Sequence, residues 1–263
     1  MNHAAKGTDA VTGHWREWAL CGVSLALLAV AMSVDPIAQD TGYHQFADRR
    51  GAAGVPNFLN VASNAAFLAI GIAGIALSLN RPVHGARMSW TVLFAGAMLV
   101  AFGSGYYHWA PDNASLVWDR LPMTIGFMGL FVALLSEHIS ERLEKLLLVP
   151  ALAVGAASVA WWHYADDLRL YAWVQFMPLV ILSLLVALFP GRYTHRGFLL
   201  YGLACYLLAK VAEALDRQTF EATAGMVSGH TLKHLLAALA LFFAYLMLCW
   251  REPLPRAHSG STR

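Results

Sequence analysis

The sequence predicts an all-α fold, a polytopic bundle of transmembrane helices, on three observations. Of the 263 residues, 58% are hydrophobic and only 13% charged, about half the roughly 25% charged complement of a soluble globular protein. The apolar residues gather into eight runs, each near the ~20 residues that cross a hydrocarbon core at 1.5 Å per residue. The breaks between them are short and punctuated, as at Asn80-Arg81-Pro82, Ala110-Pro111-Asp112-Asn113 and Pro190-Gly191-Arg192.

The runs are 17–34, 57–79, 88–109, 118–136, 145–163, 169–189, 197–216 and 229–250. The first has no small-residue cleavage site after it and reads as an uncleaved span rather than a secretory signal. The second follows Pro56, which suits a first helical turn, and carries Asn57, Asn60 and Asn64 on one face, placed to hydrogen-bond neighbouring spans. Span three ends in Ser104 and His108, one helical turn apart, and span four opens with Asp119. Spans five and six follow. Span seven carries Lys210, Glu213 and Asp216 at spacings of three, one face of a helix, and span eight opens with His230 and His234, one turn apart on one face.

No soluble domain and no internal repeat is evident. The chain reads as one membrane domain: an N-terminal tail, span and loop over 1–42, a core over 43–250, and a tail over 251–263, with 1–14 and the tail from Arg251 loosely ordered. Cys21, Cys205 and Cys249 lie in apolar runs without CxxC spacing and read as small buried side chains. A net charge of +2 without a basic run gives no footprint for nucleic acid, and nothing in the chain calls for a protein partner. Tryptophans and tyrosines near the run ends (Trp15, Trp18, Tyr106, Tyr107, Trp109, Trp118, Trp250) fit interfacial belts.

Lys and Arg placement sets the orientation. With eight spans, both termini and the even-to-odd loops share a side that holds Lys6, Arg16, Arg81, Arg87, Arg142, Lys145, Arg192, Arg196, Arg251, Arg256 and Arg263. The other side holds Arg49, Arg50, Arg120, Arg169 and Arg217. The larger set belongs in the cytoplasm. His108, Asp119 and His230 then fall at the outer ends of three spans far apart in sequence, with Ser104 and His234 one turn deeper. Five polar residues at one membrane depth point to a site.

Three neutral imidazoles are the ligand set that leaves a zinc position open for water, whose pKa falls to near 7. A carboxylate beside that water accepts its proton and returns it to a leaving amine, a role open to Asp119. Asp119 equally fits as a partner orienting a histidine, or as a salt bridge to Arg120. Ser104 fits as a donor to a developing oxyanion, or as a hydroxyl bonded back to its own helix. Lys210 and Glu213 read as an internal ion pair, with Lys233 available to pair across to span seven. His44 and Asp48 offer a cation site or a solvated loop.

Four runs in order, Asn60-Val61-Ala62-Ser63-Asn64, Gly103-Ser104-Gly105-Tyr106-Tyr107-His108, Trp118-Asp119-Arg120-Leu121-Pro122-Met123 and Ser228-Gly229-His230-Thr231-Leu232-Lys233-His234, resemble the alkaline ceramidase family. That family sits within a wider group of seven-span membrane hydrolases that includes adiponectin-receptor-like proteins. The resemblance covers about residues 43–250. It implies His108, His230 and His234 as zinc ligands, Ser104 and Asp119 as catalytic, and cleavage of a ceramide amide into sphingoid base and fatty acid.

Two departures accompany it. Characterised members carry an acidic calcium-binding segment, with a glutamate where this chain has Asn57. Here the segment reads Phe46-Ala47-Asp48-Arg49-Arg50, which argues against calcium dependence. The span at 17–34 is added, and the chain looks more like bacterial relatives. An inner-membrane protein is expected, with ceramide or another N-acyl lipid as substrate reaching the site laterally from the bilayer. A receptor or transport protein using the polar cluster for ligand or protons is the competing reading. Haem ligation fits poorly, because histidines four apart on one helix cannot take opposite faces of one iron.

Overall fold

The computed structural model describes residues 14–80 and 85–255. The Arg81-Pro82 part of the first break, residues 1–13, and Lys6, Arg81, Arg256 and Arg263 of the charge comparison lie outside the described residues. Among those described, the chain forms α1 (Trp15–Ser33), α2 (Phe58–Ala62), α3 (Ala65–Asn80), α4 (Arg87–Trp109), α5 (Asn113–His138), α6 (Arg142–Ala165), α7 (Arg169–Leu188), α8 (Gly197–Ala214), α9 (Asp216–Ala222) and α10 (Gly229–Trp250), with no β-sheet. Counting α2 and α3 as one span, the eight predicted runs appear as eight helices long and apolar enough to cross a membrane. The chain is an integral membrane protein.

The largest boundary difference is at α5, which starts at Asn113 rather than near 118. Asp112 is its N-cap: its carboxylate accepts from the Ser115 backbone N–H at 2.6 Å, and Ser115 Oγ accepts from the Asp112 N–H at 3.0 Å. This reciprocal cap satisfies helix-end donors within a polar first turn that hydropathy reads as loop. The hydrogen bond from the Ser115 N–H holds the Asp112 carboxyl below its usual range. The expectation for Pro56 also fails, because the helix begins at Phe58 behind Asn57, which is the N-cap in the left-handed region at φ 46°. Asparagine tolerates that conformation better than most residues.

The α4–α5 hairpin is the centre of the bundle. α3 and α6 flank it, α8 lies along α10, and α1 leans on α7. The larger core, with Trp90, Phe94, Leu134, Ile181, Leu185 and Met247, fills one end of the bundle, and a smaller cluster of Phe46, Tyr107, Leu116, Val159, Trp162 and Tyr171 fills the other. Tyr107 is therefore no interfacial residue. It is fully buried, and its hydroxyl meets His44 Nδ1 at 3.0 Å.

The expectation of a loose tail from Arg251 is corrected as well. Arg251 is buried and donates from both terminal nitrogens to Glu137, each at 2.7 Å. Glu137 Oε1 also accepts from Trp90 Nε1 at 2.6 Å and from the Ala86 N–H at 3.2 Å. Leu254 continues the tie through Arg192 O at 2.9 Å. Removing one partner of such a pair strands the other charge, at a cost of about 3–5 kcal/mol. Glu137→Leu should lower stability by that order in a denaturant titration of detergent-solubilised protein. The double variant Glu137→Leu/Arg251→Leu should recover most of the loss.

Candidate functional site

At the end of the bundle where α4, α6 and α8 finish and α5, α7 and α10 begin, His108, His230 and His234 meet. They are 0%, 4% and 2% exposed. His108 Nε2 stands 3.2 Å from His230 Nε2 and 3.3 Å from His234 Nε2, and one nitrogen from each ring lies within 4.8 Å of the others. Two nitrogens bound at ~2.05 Å around a tetrahedral ion stand roughly 3.3 Å apart, so the spacing fits a three-histidine metal site. The three rings converge on a single point rather than framing a plane between them, so haem ligation finds no support.

Ser63 fixes one tautomer. Its Oγ lies 3.1 Å from Asn60 O and 2.8 Å from His234 Nδ1, so a hydroxyl that donates to Asn60 leaves its oxygen to accept from Nδ1–H. The proton on Nδ1 leaves the His234 Nε2 lone pair facing the other two rings, the arrangement a metal ligand needs. Phe46 covers His108 and His230 with ring centroids at 4.7 and 4.9 Å. The buried three-histidine group could hold a metal ion.

Local sequence explains the convergence. Pro122 lacks an N–H, so the Trp118 carbonyl one turn earlier has no helical donor. That carbonyl projects onto Gly103, where an added Cβ would fall 1.8 Å from its oxygen. Only glycine permits this approach, and it brings Ser104 of α4 beside Asp119 of α5. The Ser104 hydroxyl lies beside the Asp119 carboxyl. Asp119 makes no salt bridge to Arg120, whose Nη2 donates to Gln39 Oε1 at 2.6 Å. At the start of α10, Gly229 does for α8 what Gly103 does for α5: a Cβ there would lie 2.1 Å from Ala212 O.

The span-seven group divides. Glu213 accepts from Lys210 and from Lys233 at 2.9 Å, and from the Tyr43 hydroxyl at 3.0 Å, as expected for an internal ion pair joined by Lys233. Asp216 does not share it, because the helix breaks at Leu215. Its carboxylate instead accepts from the His230 N–H at 2.7 Å and the Ala47 N–H at 2.8 Å, capping α10 and tying down the 41–50 loop. Asn57 donates to His108 O at 2.8 Å and Asn60 accepts from the Thr231 hydroxyl at 2.9 Å, both across spans, but Asn64 bonds back to Asn60 O within its own span.

In the 43–50 loop His44 and Asp48 do not come together as a cation site, while Gln45, Arg49 and Arg50 are exposed to solvent. His44 bonds Tyr107 and Asn113, while Asp48 is 2% exposed and pairs with Arg50 at 2.7 Å. Hydrogen bonds from the Arg50 side chain hold the Asp48 carboxyl below its usual range.

A cavity of about 360 Å³ opens beside the histidines. Ser104, Asp119, His234, Lys233 and Glu213 line its polar end, and Leu93, Leu182, Leu199 and Ala244 its apolar length. It separates α7 from α8, which Gln175 bridges by donating to the Tyr206 hydroxyl at 2.7 Å. Sequence reasoning singled out Ser104, His108, Asp119, His230 and His234, and the structure brings all five to one place. It missed Ser63, Phe46 and Gln39 as site residues. Ser63 lies within the Asn60–Asn64 run, and nothing in its spacing ties it to a histidine 171 positions away.

A model of the family described as Ceramidase matches residues 53–254 of the chain. No curated protein matches it.

Two outcomes are expected. Purified protein should carry close to one metal ion per chain by mass spectrometry, lost in a His108→Ala/His230→Ala/His234→Ala variant, with Ser63→Ala weakening metal affinity about 10–100-fold. The Asp48–Arg50 pair should show in acid. A carboxyl held below its free value of ~3.9 stabilises fully above that pH and progressively less beneath it. The stability gap between the parent and Asp48→Asn should therefore stay constant from pH 5 to 8 and close below about pH 4.

Proposed function

The chain belongs to the ceramidase family, and on that premise we propose that it is a zinc-dependent amidase of membrane lipids, cleaving ceramide or a related N-acyl lipid. The observation that carries the reading is the meeting of three imidazoles, with His108 Nε2 at 3.2 and 3.3 Å from the other two, beside the polar end of an apolar cavity. Zinc held by His108, His230 and His234 would supply Lewis-acid polarisation and an acidified water.

The chain's own residues do the rest. Asp119 takes the proton of the attacking water and delivers it to the leaving nitrogen, so that amine and carboxylic acid are released. Ser104 donates to the carbonyl oxygen as negative charge builds there. The apolar length of the cavity takes the acyl chain, and its volume falls in the range of small-molecule sites. Lipid enters sideways between α7 and α8, where the cavity rather than helix packing fills the gap. The Lys and Arg distribution favours cytoplasmic termini with the site toward the opposite face of a bacterial inner membrane.

Asp119→Asn should keep its metal and lose amide hydrolysis by at least ~100-fold, whereas His234→Ala should lose both. Release of fatty acid from N-acyl lipids in detergent, followed by mass spectrometry, reads the activity. Undiminished hydrolysis in Asp119→Asn would remove the proton carrier from the mechanism.

A further inference from the structure

Arg120 follows Asp119 in sequence and is 6% exposed. Its guanidinium faces lie against the rings of Trp162 at 4.0 Å, Tyr171 at 4.8 Å and Tyr43 at 5.8 Å. Its edge is less well served. Nη2 donates to Gln39 Oε1 at 2.6 Å, and Nη1 is buried without a partner. Among the described residues no carboxylate lies within ion-pair distance of it.

The nearby acids are engaged elsewhere. Asp119 turns toward Ser104, Asp167 pairs with Arg169 at 2.8 Å, Asp166 accepts from the Gln39 N–H at 2.9 Å, and Glu213 serves Lys210, Lys233 and Tyr43. A guanidinium cannot shed its proton to escape burial, and a charge at membrane depth asks for a partner. Arg120 nevertheless lines the reaction cavity with Tyr43 and Tyr171.

The fork is also held in place from outside the family-matched region. Gln39 ends a strap that leads from α1. Arg169 Nη1 donates to Val34 O at 2.6 Å and the Leu168 N–H to Ile37 O at 2.8 Å, pinning the strap to the start of α7. The added N-terminal segment thus fixes one nitrogen of Arg120 and leaves the other free.

We propose that Arg120 is the docking point for an anionic headgroup, so that the lipid amide this chain cleaves carries a carboxylate, phosphate or sulfonate on the side of the amide away from the acyl chain. The inference rests on the lipid-amidase reading and narrows its substrate class. An oxyanion at Nη1 completes the arginine's edge with a charge-assisted hydrogen bond, while the aromatic faces keep water from competing. One arm of the fork is held by Gln39 and its faces by Trp162, Tyr171 and Tyr43, whereas Asp119 and Ser104 address the reacting carbonyl. With the acyl chain taken by the apolar length of the cavity, the head is the part of the lipid left for Arg120 to meet.

The test is binding to intact protein in non-ionic detergent, by thermophoresis, of N-lauroylglycine, N-lauroylethanolamine and laurate. N-lauroylglycine should bind about tenfold or more tighter than N-lauroylethanolamine, the scale of one charge-assisted hydrogen bond. Arg120→Gln should erase that difference while N-lauroylethanolamine affinity holds. Equal affinities in the parent, a preference that survives in Arg120→Gln, or an Arg120-dependent gain confined to laurate would each overturn the proposal. Should Arg120→Gln fail to fold, the three ligands on the parent protein decide alone. Parallel hydrolysis assays separate the two readings. Cleavage of both amides without a binding preference leaves the amidase standing and removes the subsite. Arg120-dependent binding with no cleavage of either amide does the reverse.

Discussion

The approach of α4 to α5 at Gly103 sets the geometry of the whole site end. Pro122 cannot donate to the Trp118 carbonyl, and that carbonyl presses onto a glycine that offers no side chain in return. Two helices that would otherwise stand a side chain apart touch at their backbones, as small residues allow inside a membrane. Ser104 and His108 on one helix and Asp119 on the other reach a common point only because of this contact. The neighbouring Arg120 points away from Asp119, since successive residues on a helix diverge by about 100°.

Polar groups at the two ends of the bundle obey one rule and differ in outcome. With no water in the hydrocarbon, each must find a partner inside the protein. Glu137 and Arg251 satisfy each other in a two-pronged pair, closed over by Trp90 and packed against the main core. That pair is structural, although the Ser89 and Ser136 hydroxyls near it are buried without a partner. The other end holds a cavity, and near it His108 Nδ1, Arg120 Nη1 and Trp162 Nε1 are buried without a partner. Burial of polar groups is common to both ends, and what marks the site is burial beside open space.

Much of this was legible in the sequence because hydropathy and helical spacing report faces and depths. Eight runs gave eight spans, and a spacing of four put His230 and His234 on one face at one depth. Spacing does not report which neighbour a face meets. Ser63 reaches His234, Gln39 reaches Arg120 and Arg251 reaches Glu137 across 171, 81 and 114 positions, and each link is a product of helix packing. Spacing also presumes an unbroken helix. Asp216 looked like the third member of the Lys210–Glu213 face until the break at Leu215 turned it toward the start of α10. Hydropathy likewise placed the start of α5 too late, because a polar first turn closed by Asp112 scores as loop.

Two carboxylates, Asp119 and Glu213, line the polar end of the cavity, and their environments decide which can carry a proton in the proposed reaction. Glu213 accepts from two ammonium groups and a phenol. Removing its charge would strand Lys210 and Lys233 together, and the ion pairs keep both lysines in place. Asp119 has one hydroxyl neighbour, Ser104, and lies within electrostatic reach of Lys233 without pairing to it. It can gain and lose a proton without dismantling a network. A proton carrier must change charge state in each cycle at small structural cost, and of the two acids only Asp119 meets that condition. In the proposed reaction Glu213 would fix the cationic frame around Asp119.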